Sequence, residues 1–195
     1  MKNILILFAH PAIEKSRINN VLINSVKDID GVTINDLYEN YPDFYIDIVR
    51  EQQLLQVHDI IIWHHPFYWY NAPALLKEWF DLVLQHGFAY GKNGNALEGK
   101  KALSVISTGG QQEVYSETGK NNYTINQFLV PFKQSAILCQ MDYLPPFVVH
   151  GSHTINLKGI NDYAEIYKRL LIDLRDDKID FDALLKMDYL NELYS

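Results

Sequence analysis

The residues Ile4-Leu5-Ile6-Leu7-Phe8-Ala9 form an apolar run with no polar side chain to mark a solvent face. An alternating strand can lie on the open side of an antiparallel sheet. An unbroken one must be covered on both faces, as strands inside parallel sheets are. Ile60 to Trp63, Ala102 to Ile106 and the segment around Phe147-Val148-Val149 share the property, and Val32 to Leu37 reads as a shorter strand. Stretches of helical period lie between them. Ile18, Val21, Leu22, Val26 and Ile29 fall on one face, and Leu75, Leu76, Trp79, Phe80, Val83 and Leu84 form a wider stripe behind Pro73. Ile160, Ala164, Tyr167, Leu170, Leu171 and Leu174 make a third stripe. Ile125, Phe128, Leu129 and Phe132 make a fourth, which Pro131 must kink or restart. Strands alternating with helices imply right-handed crossovers and a doubly wound α/β sheet.

The chain's 195 residues suit a single domain. Residues 1–177 carry the pattern, and 178–195 follow as an extension of unassigned role. Phe181, Leu184, Leu185, Leu190 and Leu193 suggest a partly apolar helix there, which would cover a sheet face, extend an interface or fray. The formal net charge of -7 supplies no field to gather nucleic acid or anionic lipid. Cys139 is the only cysteine, so no intrachain disulfide forms and a reducing compartment is expected. The beginning of the chain lacks the pattern of a signal peptide, and no apolar run approaches the roughly 20 residues of a membrane span. A soluble, cytoplasmic protein is the expectation.

Doubly wound sheets bind ligands beyond the carboxyl ends of their strands, so the loops after each strand carry the information. The first is His10-Pro11-Ala12-Ile13-Glu14-Lys15-Ser16-Arg17-Ile18-Asn19. Ser16 is placed to cap the helix that follows, where unpaired amides and the macrodipole suit a phosphate, with His10 able to donate to the same group. An ordinary strand–loop–helix with a serine cap fits these residues too. No G-x-G-x-x-G occurs here, so the dinucleotide fingerprint is absent. The second loop, His64 to Pro73, is rich in aromatics and prolines, a stiff apolar turn able to wall a flat ring. Its adjacent histidines His64 and His65 point to opposite faces by strand alternation, and no Cys or carboxylate stands at matching spacing, so no metal site is expected. The third, Ser107-Thr108-Gly109-Gly110, offers hydroxyls and close backbone approach.

These segments carry a resemblance. A-H-P-x-x-x-S-R-x-N at Ala9 to Asn19, Y-P-D-F-Y-I-D at Tyr41 to Asp47, W-H-H-P-F-Y-W-Y at Trp63 to Tyr70, L-L-K-E-W-F-D at Leu75 to Asp81, H-G-F-A-Y-G at His86 to Gly91, S-T-G-G at Ser107 to Gly110 and L-P-P-F at Leu144 to Phe147 occur in order over residues 3 to 150. Together they resemble the flavodoxin-like NAD(P)H:quinone reductases, the DT-diaphorase family. The likeness is closer to its short bacterial members, which include ancillary reductases of glutathione-gated potassium efflux systems. The resemblance implies a flavodoxin-like fold and a bound flavin. Its phosphate would lie on His10, Ser16, Arg17, Ile18 and Asn19, and its ring on Pro66, Phe67, Tyr68, Trp69 and Tyr70. The pyrimidine side would meet Ser107, Thr108, Gly109, Gly110 and Tyr115. Short bacterial relatives generally use FMN, which makes FMN the expected cofactor ahead of FAD. One position departs from the family: where DT-diaphorase-like enzymes carry a His shortly after the tyrosine, this chain has Asn121, which cannot titrate near neutral pH.

The implied activity is ping-pong transfer of two electrons from NADH or NADPH, through the flavin, to a quinone. Tyr115 and the Gly109-Gly110 amides would act as catalytic stabilisers of charge, and Trp69 and Tyr70 as walls for flat substrates. Two alternatives stand beside an enzyme acting alone, the first of them implied by the resemblance. One is a redox-sensing subunit of a potassium efflux transporter, held through that partner at the inner membrane face. The other is a one-electron carrier. A homodimer with sites near its interface is expected from the family, and Trp79, Phe80, Phe88, Tyr90 and Tyr123 supply aromatic surface for it if they are not spent on the core.

Overall fold

A computed structural model of the chain describes residues 1–194. The elements run β1 Ile4–Phe8, α1 Arg17–Val26, β2 Val32–Asp36, α2 Leu37–Asn40, α3 Ile48–Val57, β3 Ile60–Pro66, α4 Ala74–Val83, β4 Lys101–Ser107, α5 Ile125–Phe128, α6 Val130–Leu138, β5 Asp142–Tyr143, β6 Phe147–Val149, α7 Leu157–Arg175 and α8 Phe181–Leu184. The strands form one parallel sheet in the order β2-β1-β3-β4-β5, with β6 also paired to β4. β5 and β6 are two pieces of a single edge: Asp142 lies opposite Lys101 and Phe147 opposite Val105. Pro145 and Pro146 separate them, because a residue without an N–H cannot continue a ladder.

The continuous runs behave as their apolarity requires. Every residue of β1 is buried. Leu5, Leu7, Ile61 and Trp63 enter a core with Leu75, Leu76 and Trp79 of α4, and Ile4, Ile6, Ile60 and Ile62 enter a second core with α1 and α7. The sheet is therefore covered on both faces, the flavodoxin-like doubly wound arrangement. Helix starts fall where the residues prescribe them, with Asp36, Asp47 and Asn156 side chains accepting amide bonds at the first turns of α2, α3 and α7. Some boundaries differ from the expectation. Leu37 begins α2 instead of ending β2, and Ile29 lies beyond α1 in a turn closed by its N–H to Val26. Leu129 separates α5 from α6, so Pro131 restarts a helix in its first turn, where its missing N–H has no partner to lose.

Leu184 and Leu190 of the extension are fully buried in the α1/α7 core. The Asn191 side chain accepts from Val148 N (2.9 Å) and donates to Val148 O (3.1 Å), taking the place of a further strand on the outer edge of β6. Reversal of strand order between β1 and β3 opens a crevice at the carboxyl edge of the sheet, and the loops after β1, β3, β4 and β6 surround it.

Candidate functional site

The chain leaves β1 and turns through a 3-10 segment, Ile13–Lys15, into α1. Ser16 Oγ accepts from the Asn19 amide (3.1 Å) and from Asn19 Nδ2 (3.0 Å). Ser16 N itself donates to Ile13 O (2.9 Å). Among the orphan amides of a helix start, those of Arg17 and Ile18 are thus left without a partner among the described residues, at the positive end of the α1 dipole. With both acceptor positions of Ser16 Oγ used, its own proton is what it can offer a ligand. His10 Nδ1 accepts from Ala12 N (3.1 Å). Burial lowers the His10 pKa against the opposing pull of Glu14, so the neutral ring carries its proton on Nε2. Lys15 and Arg17 add positive charge. The combination is an anion site.

Asn19 ties this loop to two strands. Its other Nδ2 proton goes to Ser107 Oγ (2.9 Å), and its Oδ1 lies 3.3 Å from His64 Nε2. An amide oxygen only accepts, so His64 holds its proton on Nε2. Burial, with the neighbouring His65 and His10, pulls the His64 pKa down to about 3, which keeps the ring neutral. The Ser107 hydroxyl, already accepting, can also donate outward.

The second loop opens with Phe67 N donating to Ser107 O (2.9 Å). Tyr68 to Asn71 then forms a tight turn, closed by Asn71 N to Tyr68 O (2.9 Å), with φ of 49° at Trp69 and 62° at Tyr70. Two successive left-handed residues define a type I′ turn, a geometry ordinarily supplied by Asn and Gly. Here two bulky aromatics hold it, and Trp69 stands 94% exposed at the rim. The Tyr70 ring stacks on Phe128 (5.0 Å between centroids), and its hydroxyl donates to Asn121 Oδ1 (3.4 Å). Behind the loop, His64 packs on Phe8 and Tyr167, whereas His65 stacks on Phe132, on opposite faces of the sheet.

In the third loop the amides of Gly109 and Gly110 have no hydrogen-bond partner among the described residues, while Thr108 is buried. Its hydroxyl donates to Gly110 O (2.8 Å) and meets His150 Nδ1 (3.1 Å). A Cβ at Gly110 would come within 2.7 Å of Val114 Cγ2 and 3.2 Å of Tyr115 Cε2, so a larger residue there would displace one of them. Tyr115 is buried between Phe67, Phe128 and His150.

One cavity of 610 Å³ collects His10, Ser16, Arg17, Ile18 and Asn19 of the first loop, Pro66, Phe67, Tyr68 and Trp69 of the second, and Ser107 and Gly109 of the third. Tyr70, Thr108, Gly110 and Tyr115 do not line it. Thr108 and Tyr115 are buried behind its wall, whereas Tyr70 is half exposed outside it, beside Trp69. The cavity also takes Ala12 and Lys15, and Ser152 and His153 from a fourth loop that sequence reasoning passed over. The signal was available, because Ser152 and His153 follow β6 as directly as the other loops follow their strands. Arg17 joins the fourth loop to the first by donating to Ile155 O (3.1 Å).

The comparisons with known proteins bear on this arrangement. The model of a family described as having a flavodoxin-like fold matches residues 2–171. A glutathione-regulated potassium-efflux system ancillary protein KefG of Pectobacterium atrosepticum is 45% identical over 84% of this chain and 90% of its own length. Among solved structures, general stress protein 14 of Treponema denticola in complex with FMN is 36% identical, with TM-score 0.84 over 88% of this chain and 99% of that one. A structure described as a thermophilic tryptophan halogenase from Streptomycin violaceusniger also has TM-score 0.84, at 39% identity over 86% of this chain and 98% of that one. An NADPH-quinone reductase of P. pentosaceus is 32% identical, with TM-score 0.79 over 86% and 96%. With a parallel 2-1-3-4-5 sheet and these relatives, the chain belongs to the flavodoxin-like family, among the short bacterial proteins related to KefG and the quinone reductases.

Proposed function

We propose that the chain is an FMN-dependent NAD(P)H:quinone oxidoreductase. One observation carries the reading. An anion site of unpartnered amides, a serine proton and two cations shares a single cavity with the apolar wall of Pro66, Phe67, Tyr68 and Trp69. That pairing suits a flat ring with a phosphate-ended arm. The FMN held by the Treponema relative and the activity named for the P. pentosaceus protein support it.

A bound FMN would supply the electron chemistry, hydride transfer between NADH or NADPH and a quinone. The protein supplies placement and electrostatics. The α1 amides, Ser16, Lys15 and Arg17 hold the phosphate. Pro66 and Phe67 exclude water from one side of the ring. The Gly109 and Gly110 amides, with the Tyr115 hydroxyl beside Gly110, stabilise charge at its pyrimidine edge. Trp69 and Tyr70 wall the place where nicotinamide and quinone bind in turn, and no side chain acts as a nucleophile. Anaerobic addition of NADH and of NADPH to FMN-loaded protein tests this. At least one should bleach the flavin and a quinone should restore it. A bound flavin that neither nicotinamide reduces overturns the reading.

The 45% identity to KefG favours a second reading, an ancillary subunit that binds a potassium efflux transporter at the inner membrane face. No helix among the described residues is long and apolar enough to cross a membrane. Co-purification with the transporter, lost on washing with high salt or on flavin removal, is the observation that favours this role. In either role the working form is a homodimer, although Trp79 contributes nothing to its interface because it is fully buried and bonded to Glu51. A monomer with full activity in sedimentation at micromolar concentration would refute the dimer.

A further inference from the structure

The matched family model ends at residue 171, yet the seven residues from Asp188 to Tyr194 are fastened to the rest of the fold at several points. Asn126 Nδ2 donates to Asp188 O (3.2 Å), Leu190 N donates to Pro146 O (3.0 Å), and Asn191 pairs with both backbone groups of Val148. Tyr194 donates to Asp173 Oδ2 (2.7 Å) under the Arg169 guanidinium. These bonds set Tyr189 edge-on against His150, the first residue after β6, with ring centroids 5.8 Å apart.

His150 in turn reaches the third loop. The single Thr108 hydroxyl proton is given to Gly110 O, since two oxygens 2.8 Å apart need a proton between them. The bond between Thr108 Oγ1 and His150 Nδ1 must then be donated by the ring. His150 is held in the Nδ1–H form, its Nε2 buried with no hydrogen-bond partner among the described residues and its ring packed on Tyr115 (5.6 Å). A buried acceptor left unpaired is unfavourable and does nothing to hold the ring. Beyond the Nδ1 bond to Thr108, the ring's orientation therefore depends on its packing against Tyr189 and Tyr115. The chain of contacts runs Asn191 and Leu190 to Tyr189, to His150, to Thr108, and ends at the Gly110 carbonyl, which also accepts from Gly151 N (2.9 Å) and fixes the backbone that carries the Gly109 and Gly110 amides.

We infer that the segment Asp188–Tyr194 is a positioning element for those amides: through Tyr189 and His150 it holds them in the arrangement that binds the two-electron-reduced cofactor more tightly than the oxidised one. This rests on the flavin reading above. Reduction adds electron density at the pyrimidine edge of a flavin, and fixed donors gain more from a charged acceptor than from a neutral one. Loosening the donors therefore weakens the reduced complex selectively. Tyr189→Ala and His150→Phe should each weaken binding of reduced FMN about tenfold more than that of oxidised FMN. That difference lowers the two-electron potential by about 30 mV. The double variant should fall well short of the sum, because both act through one contact. Tyr189→Phe should match the parent, and Asn191→Ala should shift the potential in the same direction without altering the buried rings.

The experiment is a dye-equilibrated redox titration of each FMN-loaded variant, with oxidised FMN affinity and thermal midpoint measured alongside. A lowered midpoint of unfolding with an unchanged potential in Tyr189→Ala and Asn191→Ala overturns the inference and leaves the tail a clamp on the fold. Failure of the parent itself to bind FMN overturns the flavin reading instead, and the inference falls with it.

Discussion

Two acceptor bonds from Asn19 leave the Ser16 hydroxyl with its proton to give, so on the proposed reading Ser16→Ala removes a phosphate donor together with a helix cap. FMN affinity should fall by about 1–2 kcal/mol in a calorimetric titration; equal constants for variant and parent would return Ser16 to a purely structural cap. Ser16 was legible in the sequence because a cap is a local pattern. Glu51 was not. It sits beside Arg50 on a helix of weak periodicity and reads as a solvated charge, yet it is fully buried. Tyr41 and Arg50 donate to its Oε1 (2.6 and 2.5 Å), and Asn35 and Trp79 donate to its Oε2 (2.7 and 2.8 Å). Those donors come from β2, the turn after α2, α3 itself and α4, and only the tertiary fold assembles them. Glu51→Gln would set an amide N–H against a donor and should destabilise the protein by about 2–3 kcal/mol in urea unfolding. A variant as stable as the parent would show that the network adjusts freely.

At the scale of elements, the Tyr68–Asn71 turn stores strain where the cavity opens. The sequence marked this loop as stiff and aromatic. It could not reveal left-handed backbone at Trp69 and Tyr70, because nothing in Tyr-Trp-Tyr-Asn suggests a type I′ turn. Strain that persists beside a binding site is held there by the surrounding structure. Trp69→Gly removes the unfavourable φ and an exposed side chain, so the fold should gain about 1 kcal/mol while the quinone KM rises. Thermal unfolding and steady-state kinetics on one preparation separate the two effects, and an unchanged KM would place Trp69 outside the substrate path. The fourth loop was legible, since it follows the apolar run Phe147-Val148-Val149, and was passed over. The edge role of Asn191 was hidden, because a side chain that stands in for a strand leaves no pattern at all.

For the molecule as a whole, the continuous strands made the fold readable, because burial on both faces is written into each run without reference to any other. The same burial makes a pH prediction. His64 is pulled down to about 3 and His65 and His150 to about 4, each chiefly by desolvation. In the unfolded chain such rings protonate near pH ~6.5. Between these limits the unfolded state binds more protons, so stability rises with pH across the window and is lost as pH falls from about 6.5 toward about 4. Urea midpoints should drop between about pH 7 and pH 5. A flat profile would mean that the three rings are not held neutral. The central claim, that the cavity is a flavin phosphate and ring site, is met most directly by titrating flavin-free protein with FMN and with riboflavin. Lost phosphate bonds to charged groups are worth about 1.5–3 kcal/mol each, so FMN should bind one per chain and at least about a hundredfold more tightly than riboflavin. Equal affinity for the two flavins, or binding of neither, would contradict it.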